Sequence, residues 1–210
     1  MLLPLLKLQL PQYYIIYKPY QVLSQFSLGA AGVQGVETKA TLKDFFHVPG
    51  DVYPVGRLDY DSEGLLVLTN DKRLNHRLLN PAFSHEREYW VQVEGLPDQA
   101  ALRLLGSGVD INVDGKNYHT KKCHAESFRV EPVVPIRVPP VRFRQNIPTT
   151  WIRMVLTEGK NRQVRKMTAK VGHPTLRLIR YRIGRANVSG LQPGAIKELN
   201  AAAIEDLLFK

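Results

Sequence analysis

Apolar residues recur along the chain with two different periods, and these alternate. Tyr13 to Tyr17 is β-branched and aromatic throughout and predicts a strand that Lys18-Pro19 ends. Thr41 to Phe46 predicts a short helix burying Leu42, Phe45 and Phe46. Leu65 to Thr69 is an almost unbroken apolar run, the pattern of a strand covered on both faces. Asn70 stands where it can cap a helix of about nine residues from Asp71, with Leu74, Leu78 and Leu79 as its stripe and Asn80-Pro81 as its stop. Arg87 to Glu94 alternates, which puts Tyr89, Val91 and Val93 on one face of a strand. Pro97 to Leu105 predicts a second helix, and Asp114-Gly115 a hairpin turn joining residues 109–113 to 116–118.

The character changes between Val130 and Pro148, where prolines at 132, 135, 139, 140 and 148 mix with arginines at 137, 142 and 144. No central strand tolerates that, so an extended connector or surface insertion is expected. Thr149 to Thr157 returns to strand. Asn161 can cap a helix to about Val171, with Val164, Met167, Thr168 and Val171 inward and Gly172 at the left-handed position that ends it. Pro174 to Ile183 predicts a basic strand whose apolar phase slips between Leu178 and Ile179, as a bulge would cause. Gly194 to Leu199 predicts an edge piece and Asn200 to Leu208 a capped helix. Residues 1–12 are expected to be a tail, because Pro4 and Lys7 interrupt its apolar run and no signal-cleavage pattern follows. Gly29, Gly32 and Gly35 are spaced wrongly for a dinucleotide loop and predict a mobile one.

Composition narrows the class. With 210 residues, 44% hydrophobic, the chain can bury one core or two small subdomains sharing one. A lone cysteine, Cys123, excludes an intrachain disulfide and suits a reducing, cytoplasmic setting. No apolar run approaches the roughly 18–20 residues of a membrane span. The formal net charge of +10 is unevenly placed: residues 1–105 carry 10 Lys+Arg against 11 Asp+Glu, whereas residues 106–210 carry 19 against 8. Between Arg153 and Arg185 there are ten basic residues and one acid, Glu158. A field so one-sided points to a polyanion, nucleic acid above all, rather than to a solubility device.

Candidate chemistry centres on Val55 to Asp71, VGRLDYDSEGLLVLTND. Asp59 stands one short turn before a buried strand, a rigid place that suits a reacting carboxylate. Taken alone it is more simply a turn initiator, since Asp side chains commonly bond the backbone two residues on. Tyr89 on its own is an ordinary core tyrosine. Asp59, Asp61 and Glu63 offer a carboxylate pair for glycoside hydrolysis, although three acids in one turn are more often a solvated loop. His119, Cys123 and His124 lack the paired spacing of a structural zinc site, and no metal is expected.

GRLDYDSEGLLVLTND, then REYWVQVEG, then EGKNRQVRKMTAKVGHPTLRLIRYRIG, in this order, resemble the RsuA/RluB/RluE/RluF family of ribosomal RNA pseudouridine synthases. The likeness runs from Tyr14 to about Leu199. The proline/arginine insertion running into IPTTW, HPTLRLIRY and the lack of a separate N-terminal RNA-binding domain narrow it to one branch. Ser62 and Trp90 depart from the commoner pattern, away from the chemistry. The resemblance implies an α+β pseudouridine synthase fold with a mixed, mainly antiparallel sheet in two subdomains about a central catalytic cleft. Residues 13–210 would form the catalytic domain, with 130–148 as its insertion.

The resemblance also implies roles. Asp59 matches the catalytic aspartate, Tyr89 the active-site tyrosine and Arg165 the basic residue that pairs with the aspartate. Arg57 would contact RNA near a flipped nucleotide. Lys160, Arg162, Lys166, Arg177, Arg180 and Arg182 are expected to take phosphates, and Leu178 to pack under the reacting base. The reaction needs neither cofactor nor metal. The expected partner is large-subunit ribosomal RNA or the assembling large subunit, met in the cytoplasm by a monomer without membrane attachment. A non-catalytic RNA-binding or assembly factor is the main alternative.

Overall fold

A computed structural model describes residues 10–27, 39–142 and 145–210. Most of the expected tail, the glycine loop and Arg144 lie outside the described residues. The strands are β1 (Tyr13–Lys18), β2 (Tyr53–Pro54), β3 (Glu63–Thr69), β4 (Arg87–Glu94), β5 (Asp110–Val113), β6 (Lys116–His119), β7 (His124–Ser127), β8 (Thr149–Leu156), β9 (Thr175–Ile183), β10 (Ala186–Asn187) and β11 (Ile196–Leu199). The helices are α1 (Lys72–Leu79), α2 (Gln99–Ser107), α3 (Gln163–Lys170) and α4 (Ala201–Phe209). The main sheet runs β11-β1-β3-β9-β4-β8-β7, with β2 on β3 and β10 on β9; β5 and β6 form a separate hairpin. Every pairing is antiparallel except β3 with β9. This is the expected α+β architecture with a mixed, mainly antiparallel sheet.

The parallel contact is short, Glu63 opposite Ile179 and Gly64 opposite Arg180, and it joins the two halves of the sheet. It exists because residue 64 is glycine. Its φ is +106°, and a Cβ there would stand 2.3 Å from the Arg180 carbonyl oxygen, so any side chain would push the strands apart. On either side of this join the halves build their own cores. Ile15, Leu65, Val67, Ile179 and Ile183 pack with α1 and α4, whereas Val91, Ile152, Met154 and Leu178 pack with α2 and α3. A third cluster, with Ile16, Leu66, Leu68, Leu42 and Phe46, covers the other face of β1 and β3. All seven residues of β3 are buried, as its unbroken apolar pattern required.

Several local expectations shift. The α1 cap is Asp71, which accepts from the Arg73 and Leu74 amides, while Asn70 accepts from the Gln12 amide and donates to Asp51. Helix α3 is preceded not by an Asn161 cap but by Arg162 at φ +54°, and Asn161 donates to Asp114. Residues 42–44 form one 3-10 turn with Phe45 exposed, and Leu79 is exposed because it lines the cleft described next. The irregularity expected between Leu178 and Ile179 is instead two register shifts against β4, between Glu88 and Tyr89 and between Gln92 and Val93. They flank residues 177–180 of β9, which are buried on both faces.

Candidate active site

A cleft of about 760 Å³ opens where the halves of the sheet meet, and it is lined by Asp59, Tyr89, Leu178 and Arg180. Several elements place these side chains. Asp59 is held from behind: the Ser24 hydroxyl donates to the Leu58 carbonyl at 2.8 Å and accepts from the Leu58 amide at 3.0 Å. The turn is closed by Ser62 N–H donating to the main-chain carbonyl of Asp59. Its carboxylate therefore does not make the turn, which removes the plain structural reading of this residue. The side chain is 37% exposed, and its ion-pair contact is Arg162 Nη1 at 3.6 Å from Oδ2.

The expected Asp59–Arg165 pair needs correction. Arg165 reaches instead to Asp61, with Nη2 donating to its main-chain carbonyl at 2.6 Å and Nε 3.4 Å from Oδ2. Arg162 grips the same carboxylate with two bonds of 2.8 Å. Asp61 thus draws both arginines of the α3 region onto the loop and is held below the usual carboxylate range by them, against the opposing effect of burial. Glu63 is equally committed. It forms a two-bonded pair with Arg177, both bonds 2.9 Å, in which the side chains are 1% and 6% exposed. With Asp61 and Glu63 so occupied, the carboxylate pair of a glycosidase is not available in this turn.

Tyr89, on β4, is buried at the cleft wall and stands directly opposite Arg180 in the β4–β9 ladder. Leu178, two residues before Arg180 on β9, is 5% exposed and shares that face. Arg57, Lys160 and Arg162 are exposed at the rim, where phosphates can reach them, and Lys166 is partly buried on α3. Three of the expected phosphate contacts do not survive. Arg177 is locked to Glu63; Arg182 is tied to Glu86, Glu88 and the Gly184 carbonyl; Arg180 lies on the floor, 6% exposed. Much of the basic excess in this region is thereby neutralised internally, since buried Glu88 also pairs with Arg153.

Lys18, which the sequence marks only as the end of a strand, is fully buried and donates to the carbonyls of Pro19 and Val22 at 2.9 and 2.7 Å. Burial pushes its ammonium down to about 7, although Glu63, Asp61 and Asp59 favour its charge. From pH 7 towards 10.5 the unfolded lysine keeps a proton that the folded one has lost, so stability rises with pH in this window. Unfolding free energy from urea titrations is expected to climb between about pH 7 and 9, and Lys18→Met to remove the climb.

Over residues 12–170 the chain matches the RNA pseudouridylate synthase family. It is 46% identical over 190 residues, 90% of this chain and 96% of the other, to "Ribosomal large subunit pseudouridine synthase E" of Xanthomonas campestris pv. campestris. To the protein of the same name from Vibrio parahaemolyticus it is 45% identical over 196 residues, 93% of this chain and 77% of the other. A solved structure described as "Crystal structure of pseudouridylate synthase" shares the fold with a TM-score of 0.74 at 23% identity, covering 96% of this chain and 76% of that one. The resemblance carried by the three motifs is borne out: the chain belongs to the RNA pseudouridylate synthase family, whose members are isomerases.

Proposed function

We propose that this protein isomerises a uridine of large-subunit ribosomal RNA to pseudouridine in the cytoplasm, with residues 13–210 acting as one catalytic domain. The observation that carries the reading is a carboxylate, Asp59, spared from structural bonding and facing a cleft that also holds Tyr89 and a buried guanidinium. The relatives' names supply the RNA. Among the described residues no helix is long and apolar enough to cross a membrane.

The reaction breaks N1–C1′, turns the uracil and joins C5 to C1′. It requires one ionised carboxylate, used as a nucleophile or as an acceptor of a sugar proton. Arg162 stands beside Asp59, 3.6 Å from its Oδ2, and the Asp59 charge in turn favours the charged forms of Arg165 and Arg180. Tyr89 offers a flat face to the base and a hydroxyl for the C5 proton. The target must leave its helix to enter, at a cost of a few kcal/mol, which phosphate contacts at the rim offset.

Purified protein incubated with 5-tritiated ribosomal RNA is expected to release tritium from the large-subunit RNA at a single site. Tight binding to that RNA with no tritium release would overturn the reading in favour of a binding factor. The rim carries a separate expectation. Lys160→Ala or Arg57→Ala is expected to lower the slope of log affinity against log salt by about 0.7–0.9 for each phosphate that is no longer neutralised. Arg182→Ala, whose side chain is already paired, is expected to leave that slope unchanged.

A further inference from the structure

Strand β9 carries three arginines that are wholly or largely withdrawn from solvent, and two of them have carboxylate partners: Arg177 has Glu63, and Arg182 has Glu86 and Glu88. Arg180 differs. It is 6% exposed, and its Nε donates to the Leu65 main-chain carbonyl at 2.8 Å, which fixes the plane of the guanidinium. Its Nη2 is buried without a hydrogen-bond partner in the protein. A cation held this way is costly to bury, and the cost has a use where negative charge develops beside it. The neighbouring groups favouring that charge are Tyr89 first and then Asp59, with Arg87 opposing. Tyr89 is its direct cross-strand partner, so both side chains stand on one face and line one cleft.

We propose that Arg180 is a positioning residue for Tyr89, orienting its hydroxyl and stabilising it as a phenolate for the final proton transfer. The proposal rests on the isomerase reading and on Tyr89 as the proton acceptor. After C5 has bonded to C1′, C5 carries both the sugar and a hydrogen. The phenolate oxygen takes that proton, and the C5–H electron pair re-forms C5=C6. The N1=C6 pair returns to N1, which takes a proton from solvent, and the phenol gives its proton back to solvent. Nothing is oxidised or reduced. Without the guanidinium the phenolate is harder to form, and loss of the C5 proton becomes the slow step.

The test compares RNA containing 5-deuterated and 5-protiated uridine, using the full chain, Arg180→Met, Arg180→Lys and Tyr89→Phe. Arg180→Met is expected to lower kcat about 10- to 100-fold, raise the deuterium effect on kcat above about 2, and leave RNA affinity within about threefold. In a Tyr89→Phe background the same substitution should cost little more, because the group it acts through is gone. If the Met variant does not fold, Arg180→Lys decides, since it keeps the charge but not the two-pronged geometry; its expected result is a smaller fall in kcat with a raised isotope effect. A parental isotope effect in whichever variant folds would overturn the proposal, as would weaker RNA binding at unchanged kcat. A parent chain that forms no pseudouridine overturns the isomerase reading instead. A Tyr89→Phe enzyme with parental kcat and isotope effect overturns the role of Tyr89, and this proposal with it.

Discussion

Asp59→Asn is expected to reduce tritium release and pseudouridine formation by about 10⁴-fold or more, the scale on which removal of one acting group disables a concerted site. RNA affinity is expected to stay within about tenfold, because it is borne mainly by phosphate contacts. The substitution keeps the shape of the side chain and removes only its charge. It disturbs little else: Ser24 holds the loop through Leu58, and the turn is closed through the main-chain oxygen of residue 59. Circular dichroism and urea midpoints that match the parent would show that the loss is chemical. An Asn variant retaining a tenth of parental turnover would remove Asp59 from the reaction.

Arg177→Met is expected to act on the fold rather than on RNA. It strips the partner from Glu63 in a pair that is almost wholly buried, and an uncompensated buried charge costs about 3–5 kcal/mol. The urea midpoint should fall accordingly with the slope m unchanged. Glu63→Gln combined with Arg177→Met should recover much of the loss, because no charge is then stranded. Tyr17, whose hydroxyl is raised by burial and by Glu63, lies in the same neighbourhood and is expected to feel the change. If Arg177→Met instead melts like the parent and lowers the salt dependence of RNA binding, the residue is a phosphate contact and the internal pair is unimportant.

These two residues also show what the amino-acid sequence can reveal. Strands β1, β3 and β4 are legible because their patterns are clear: an aromatic and β-branched run, an unbroken apolar run and an alternation from Tyr89 to Val93. Strand β7 is not, since His-Ala-Glu-Ser has neither β-branched residues nor a clear period, and β2 and β10 are two residues long. Caps slip by one position at Asp71 and Arg162, where adjacent polar residues compete. Asp59 and Tyr89 are singled out only through the family resemblance, whose motifs are local; each residue alone is read as a turn former or a core tyrosine.

The arginines are not legible in the same way. Whether a guanidinium on β9 meets RNA, a carboxylate or a tyrosine depends on partners about 90 to 115 positions away, brought in by the sheet register. Arg177, Arg180 and Arg182 look alike in the string TLRLIRYRI, yet each ends in a different electrostatic setting. The part played by Asp61 is hidden in the sequence for the same reason. Its importance lies in tethering Arg162 and Arg165, 101 and 104 positions away in the chain, a contact that no local spacing announces.

Where a reacting uridine comes to rest decides whether Asp59 and Tyr89 carry out the isomerisation. A structure of Asp59→Asn bound to its RNA measures this directly. The expected result is a target nucleotide turned out of its helix, with C1′ about 3–3.5 Å from the residue 59 side chain and C5 facing the Tyr89 hydroxyl. A nucleotide still stacked in its helix, with RNA crossing only the rim formed by Arg57, Lys160 and Arg162, would contradict it.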